Sequence, residues 1–101
     1  MKVFLDDVRL PPEGWVLVRT VEEAIAALKA FKVTHISLDN DLGEGFKEGH
    51  EVSKWIEFIT FTNKNYMPPV VTVHSSNTPR RKDIEAAIRN IERFVKERSE
   101  D

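Results

Sequence analysis

Two kinds of hydrophobic pattern divide this sequence. Short apolar runs that end in polar residues predict buried strands, and stretches with apolar residues three and four positions apart predict helices. The strand-like runs cover residues 3–5, 15–19, 36–39 and 70–73. Residues 70–73 read Val-Val-Thr-Val, and a run of β-branched residues favours a strand in the centre of a sheet.

The longer pattern predicts three helices. Thr20 and Glu23 form a capping box, so the first helix begins there and runs to about Phe31. The second helix ends near Phe61, and the third has Thr78 as its cap and Pro79 at its first position. The apolar stripes of the second and third helices consist of Val52, Trp55, Ile56 and Ile59, and of Ile84, Ala87, Ile88, Ile91 and Val95.

The remaining segments predict loops. Residues 8–14 contain two consecutive prolines and a glycine, which exclude a helix. Residues 42–49 carry glycine and are too polar to be buried, so we expect them at the surface. Residues 63–69 connect the second helix to the last strand, and residues 96–101 are expected to be a frayed end.

The order of these elements predicts an α/β fold. Strands that alternate with single helices imply a small open parallel sheet, here of about four strands with three helices. Right-handed crossovers then bring the carboxyl ends of all strands to one edge of the sheet, where ligands bind. Residues 8–14 must cross the height of the sheet without a helix, and seven extended residues reach roughly 23 Å.

Composition limits the possible functions. The 101 residues suffice for one domain, and 41% hydrophobic and 32% charged residues are typical of a soluble protein. A net charge of −2 excludes a general attraction to nucleic acid or anionic membranes, so any phosphate must bind locally. The sequence shows neither a membrane span nor a signal peptide, and we expect a cytoplasmic location. The absence of cysteine excludes thiolate chemistry.

Acidic residues follow two of the predicted strands. Asp6 and Asp7 come after the first strand, and Asp39 and Asp41 come after the strand at residues 36–39. Carboxylates that meet at one edge repel each other unless a cation holds them, and Mg²⁺ prefers such oxygen ligands. The alternative is that Asp6, Asp7 and Asp41 are turn residues at strand ends. We favour a metal site.

His74 ends the last strand and opens a polar cluster. It can act as a general acid or base or as a metal ligand, whereas His35 and His50 lack such surroundings. Ser75, Ser76 and Asn77 lead into a helix start that can hold a phosphate oxygen, or else they cap that helix.

Cationic and aromatic side chains complete the candidates. Arg9 can clamp a phosphate, as can Arg80 in the first turn of the last helix, although Arg80 and its neighbours can instead pair with nearby acids. Trp15, Trp55 and Phe58 are assigned to the core or its margin.

Three motifs carry a resemblance to a known family. The segments Leu5-Asp6-Asp7, Leu38 to Gly43 with Gly49 further on, and Pro69 to Val73 resemble response-regulator receiver domains. More closely, the chain is similar to cyclic-phosphate-processing receiver domains through Leu-Asp-Asp-x-Arg, Leu-Asp-x-Asp-Leu-Gly and Val-His-Ser-x-Asn. The similarity extends from Met1 to about Ile91.

The resemblance implies a fold and a set of roles. It implies a flavodoxin-like topology that lacks the first helix and the last strand-helix unit of a receiver. It makes Asp6 and Asp7 metal-coordinating acids and puts Asp39 where receivers accept phosphate, with His74 in place of a threonine or serine. The lysine of a receiver's fifth strand has no counterpart, and Asn40 stands where the family usually has histidine.

These observations lead to three hypotheses of function. The first is a phosphoesterase that uses Mg²⁺ or Mn²⁺ to process a cyclic phosphate, either a cyclic nucleotide or an RNA 2′,3′-cyclic end, with His74 and Asp39 as catalytic residues. The second is a non-catalytic receiver-like module that binds phosphate or a protein partner. The third is phosphoacceptance at Asp39, which the missing lysine disfavours.

Overall fold

The computed structural model describes residues 1–99 as four strands and three helices. In chain order they are β1 (Lys2–Leu5), β2 (Trp15–Val18), α1 (Val21–Ala30), β3 (His35–Leu38), α2 (His50–Thr62), β4 (Val70–Val73) and α3 (Thr78–Ser99). The predicted small α/β fold with three helices is confirmed. No helix in the described range combines the length and apolarity that a bilayer crossing requires.

The four strands form one parallel sheet in the order β2-β1-β3-β4. Leu5 pairs with Val18 on one side and Leu38 on the other, and Leu38 pairs with Val73. All four strands therefore end at the same edge, which we call the rim. Residues 8–14 cross the height of the sheet without a helix, as the prolines predicted. The strand β4 lies at the edge of the sheet, so the prediction of a central position was wrong.

The helices pack on one face of the sheet only. Side chains alternate along a strand, and one set forms a core with the helices, namely Val3, Leu5, Val18, Ile36, Leu38 and Val71 with residues such as Ala24, Ile56 and Ile84. The crossovers through α1 and α2 both move the chain in the same direction along the sheet, and right-handed crossovers then place both helices on the same side. The opposite face carries Phe4, Trp15 and Leu17, which do not belong to this core. We call it the open face.

The helix caps agree with the sequence at α1 and differ at α3. The Thr20 hydroxyl accepts the amide of Glu23, which confirms the predicted cap. At α3 the side chain of Asn77 accepts the amide of Arg80, and its carbonyl accepts the amide of Arg81. Asn77 is therefore the cap and Thr78 is already helical, because an amide oxygen is an effective N-cap acceptor.

The end of α3 is ordered where a frayed end was expected. The helix continues through Ser99, because Arg98 donates to the carbonyls of Tyr66 at 2.6 Å, Thr60 at 2.5 Å and Asn63 at 2.8 Å. Carbonyls at the end of a helix lack partners within it, so the guanidinium of Arg98 satisfies groups at the end of α2. Residues 100–101 lie outside the described range.

Two expectations about burial were wrong. Phe58 is 63% exposed, because it lies off the stripe that α2 turns toward the core. In the loop of residues 42–49, Leu42 is buried and packs in the core. Trp15 lies at the margin of the buried residues, within the prediction, because it is partly buried on the open face and its ring contacts the buried Phe4. Trp55 packs against the core as predicted.

Candidate functional site

Asp6 is a buried carboxylate at the rim that holds the turn after β1. It follows β1 directly, and only 1% of its surface is exposed. One carboxylate oxygen accepts the backbone amides of Val8 and Arg9, each at 2.8 Å. Burial by itself would raise the pKa of Asp6, but the amides of Arg9 and Val8 and the His74 ring together lower it below its ordinary value. Asp6 is therefore ionised at neutral pH.

His74 is held from both ring nitrogens. Its Nε2 lies 3.0 Å from the second oxygen of Asp6, and its Nδ1 lies 2.7 Å from the hydroxyl of Ser37. The ring also stacks on Phe4, with centroids 4.4 Å apart and planes within 4°. Because an ionised carboxylate can only accept, Nε2 carries a hydrogen, and in the neutral ring Nδ1 accepts from Ser37. The imidazole is thus fixed in position and tautomer.

Asp39 is the third member of the site. Burial raises the pKa of Asp39 above its ordinary value, and the Asp6 carboxylate raises it further, while His74 partly opposes the shift. Its backbone touches Gly49, where an added Cβ would lie 1.8 Å from the Asp39 carbonyl oxygen. Only glycine allows this approach, and the amide of Gly49 donates to the carbonyl of Asn40 at 2.8 Å. This contact fixes where the chain leaves β3.

Asp6, Asp39 and His74 converge on one point. Each offers one ligand atom, and the three atoms lie within 4.8 Å of one another. Two carboxylates at this distance favour a cation, as the raised pKa of Asp39 beside Asp6 reflects. Carboxylate oxygens suit Mn²⁺ or Mg²⁺, so Asp6 and Asp39 fit the predicted metal, whereas both nitrogens of His74 are already used in its hydrogen bonds to Asp6 and Ser37.

The other two predicted metal ligands lie beside this group. Asp7 is partly exposed, and its carboxylate faces Gly43. Asp41 is exposed and accepts the side-chain amides of Asn40 at 3.2 Å and Asn77 at 3.1 Å. Both residues are at the rim but outside the group of three. Their role as ligands stays a prediction.

The predicted phosphate-binding residues at the end of β4 are used in local structure. Ser75 is buried, and its hydroxyl accepts the amide of Asn77 at 3.1 Å. Asn77 caps α3, and Ser76 is exposed. Arg9 is exposed and donates to the carbonyl of His74 at 3.3 Å, so its guanidinium lies at the rim. Their contacts with phosphate stay predictions.

Arg80 already has acidic partners. Its guanidinium lies 3.2 Å from Glu48 and 3.1 Å from Asp83, as the alternative interpretation of this cluster expected. The pKa of Arg80 is raised by its hydrogen bond to Asp83 and then by Glu48. A phosphate at Arg80 would therefore have to compete with two carboxylates.

The sequence interpretation missed residues that support the site. Ser37 fixes His74, and its signal was a polar residue inside the apolar β3. Asn40 accepts both the amide and Nδ1 of His50, each at 3.0 Å, and donates to Glu48 at 3.1 Å. This cluster holds the loop before α2. No local pattern reveals it, because the contact joins residues ten positions apart.

The opposite pKa shifts of Asp6 and Asp39 predict opposite effects of pH on the metal-free protein. The pKa of Asp6 is lower in the folded than in the unfolded state, where it is about 3.9. Asp6 therefore stabilises the fold at a pH above that unfolded-state pKa, and this contribution is lost as the pH falls through the folded-state pKa. Asp39 has a raised pKa, so its charge destabilises the fold as the pH rises through that value. We expect metal-free Asp39→Asn to have a higher Tm than the wild type at pH 7.

Calorimetry in EDTA measures this difference. The advantage of Asp39→Asn should shrink as the pH falls toward the ordinary pKa of aspartate, because the wild-type carboxyl is then protonated as well. Asp41→Asn is the matched control, since it neutralises an exposed carboxylate of the same rim. A Tm of Asp39→Asn at or below that of the wild type at pH 7 would contradict the expected repulsion between Asp39 and Asp6.

Comparison with known proteins adds one finding. A family model described as "Cyclic-phosphate processing Receiver domain" matches residues 1–90. Searches of curated proteins and of solved structures each returned no match. The matched range contains all four strands and the three residues that converge at the rim.

Proposed function

This chain belongs to the family of cyclic-phosphate processing receiver domains, and from that premise we propose that it is a metal-dependent phosphoesterase that opens a cyclic phosphate. The observation that carries the proposal is the convergence of Asp6, Asp39 and His74 within 4.8 Å at the rim. Two carboxylates and an imidazole are the groups that bind a divalent cation and transfer protons.

The reaction needs three events at the phosphorus atom. Water attacks phosphorus, one P–O bond of the ring breaks, and a proton reaches the leaving oxygen. The Nε2 hydrogen of His74 lies within the group of three, and the imidazolium form of His74 can give it to that oxygen and become neutral. Asp39 has a raised pKa and is therefore the more basic of the two carboxylates, so it can take the proton of the attacking water. Solvent then returns this proton to His74.

The other residues bind and orient. Asp6 keeps the hydrogen of His74 on Nε2, and Ser37 with Phe4 prevents the ring from turning. Arg9 lies at the exposed side of the rim, where its guanidinium can balance phosphate charge. Mg²⁺ or Mn²⁺, held by Asp6 and Asp39 with Asp7 and Asp41 beside them, would supply Lewis acidity to the phosphate and lower the pKa of water.

A second candidate, a non-catalytic module for a phosphorylated ligand, is favoured by a specific observation. Two candidate residues of the rim already have partners without a ligand, since both nitrogens of His74 are bonded and Arg80 has two acidic partners. Such a module would bind a nucleotide in the presence of metal and leave it unchanged.

The test is an assay with 2′,3′- and 3′,5′-cyclic nucleotides, followed by ³¹P NMR of the products. We expect the wild type to form a linear monophosphate with Mg²⁺ or Mn²⁺ and to stop when EDTA is added. Asp39→Asn should lose this activity, because it removes a metal ligand and the proton acceptor. Glu92→Gln, which neutralises an exposed carboxylate far along α3, should keep it.

Each outcome separates the candidates. Turnover that survives EDTA, or equal rates in the wild type and Asp39→Asn, would contradict the proposal. Saturable nucleotide binding by calorimetry, with metal and without turnover, would support the second candidate instead.

A further inference from the structure

A row of aromatic rings leads away from the rim along the open face. The His74 ring stacks on Phe4, the Phe4 centroid lies 6.5 Å from that of Trp15, and the Trp15 centroid lies 6.3 Å from that of His35. No helix among residues 1–99 covers these rings, because the described helices pack on the other face. Trp15 and His35 stay partly exposed. Phe4 itself is buried, so the accessible rings of the row are those of Trp15 and His35, and Phe4 connects them to the candidate site.

The charge of the open face differs from that of the whole chain. The chain carries a net charge of −2. Alternation along the strands brings eight residues to this face below the rim, and none of them is acidic: Lys2, Phe4, Trp15, Leu17, His35, Ser37, Val70 and Thr72. The ammonium of Lys2 lies 5.7 Å from the Trp15 centroid, and at the level of the rim Arg19 donates to the carbonyl of Asp6. Local cations therefore accompany the aromatic rings.

This combination suits one class of ligand. An uncovered sheet that presents aromatic side chains with cations binds single-stranded nucleic acid, since bases stack on the rings and phosphates meet the cations. A cyclic phosphate at the end of a nucleic-acid chain requires a ribose 2′-hydroxyl, so the strand is RNA. We infer that the open face binds the bases next to the 3′ end of a single-stranded RNA and leads that end to the rim. This inference rests on the proposed function for the identity of the RNA end.

Binding is tested apart from catalysis. A fluorescein-labelled hexauridylate with a 3′-hydroxyl, in EDTA, needs neither metal nor a cyclic phosphate. We expect its fluorescence anisotropy to rise with the wild type. Trp15→Leu should weaken binding about 10-fold, within the range that loss of one stacked base gives. Phe58→Leu is the matched control, because Phe58 is 63% exposed on the helical side and should leave affinity unchanged.

A second variant covers the case in which Trp15→Leu does not fold. Lys2→Glu should weaken binding and lower the salt dependence of the affinity, because a cation near the phosphates is lost. Lys54→Glu makes the same charge change on the exposed side of α2 and should have no comparable effect. Intrinsic fluorescence adds an independent reading, since RNA should quench Trp15 and leave Trp55 on the helical side unaffected.

The outcomes also separate this inference from the proposed function. RNA binding that depends on Trp15, without hydrolysis, would keep the open-face site and remove the phosphoesterase. Hydrolysis with the same kcat/KM for a cyclic mononucleotide and a cyclic-ended hexamer, unchanged by Trp15→Leu and Lys2→Glu, would overturn the open-face site alone. A wild-type dimer that Trp15→Leu converts to a monomer would assign the face to a second copy and also overturn it.

Discussion

His74→Ala is expected to lower kcat/KM for cyclic-phosphate hydrolysis by about 10²–10⁴-fold, the range that one general acid or base contributes. The imidazolium form of His74 is the proton donor of the proposed reaction, and the ionised Asp6 holds the transferable hydrogen on Nε2. The His74 ring also stacks on Phe4, so the alanine variant leaves an empty space beside Phe4 and brings no other acidic group to the position of the imidazole. Steady-state rates with saturating metal measure the effect.

Two further variants show whether the loss comes from proton transfer. Ser37→Ala keeps the imidazole and removes the hydroxyl at Nδ1, so it should reduce the rate less than His74→Ala and alter its pH profile. Glu92→Gln again serves as the control. An active wild type whose rate is unchanged in His74→Ala would remove His74 from the mechanism, and the proton would then have to come from metal-bound water.

Asp6→Ala is expected to lower the free energy of unfolding by about 2–5 kcal/mol, since it leaves buried hydrogen-bonding groups without partners. The carboxylate accepts two backbone amides and the His74 ring while almost wholly buried. Without it, the turn after β1 loses the acceptor that closes it. Urea unfolding followed by circular dichroism measures the change, and an unchanged m-value would show that the same surface is exposed.

The adjacent aspartate is the matched control for this prediction. Asp7→Ala removes a partly exposed carboxylate that makes none of these hydrogen bonds, so it should change stability by less than about 1 kcal/mol. Equal losses for Asp6→Ala and Asp7→Ala would contradict the structural role that we assign to Asp6. Asp6→Asn should fall between them, because its amide oxygen can still accept the two backbone amides but its NH₂ group cannot accept from His74.

The sequence predicted those features of the fold and the site that depend on the local pattern of residues. Strand and helix positions follow from the spacing of apolar residues, and the parallel sheet follows from the order of those elements. The acids at the ends of β1 and β3 were expected at one edge because parallel strands all end there. The meeting of Asp6, Asp39 and His74 is therefore a consequence of topology that a reader of the sequence can reach.

Other features depend on contacts that no local pattern encodes. Ser37 bonds a residue 37 positions away, and the sequence gives no sign of that partner. Thr78 and Asn77 are both good caps, and the choice between them depends on where the chain leaves β4. Whether Arg80 pairs with an acidic residue or is free to bind a phosphate likewise depends on the position of Glu48 across the rim. One face of the sheet is left without helices because the crossovers through α1 and α2 run in the same direction along it. The order of the elements along the chain does not give that direction, since it depends on the order of the strands in the sheet.

The bond between Asp6 and His74 joins residues 68 positions apart and spans strands separated by β3. Neither half of the chain contains enough of the site to bind a cation or move a proton. Every strand pair in this sheet is also formed between distant segments, which slows folding relative to helical contacts. The proposed site consequently exists only when β1, β3 and β4 have all joined the sheet, and a chain without β4 in place would lack it.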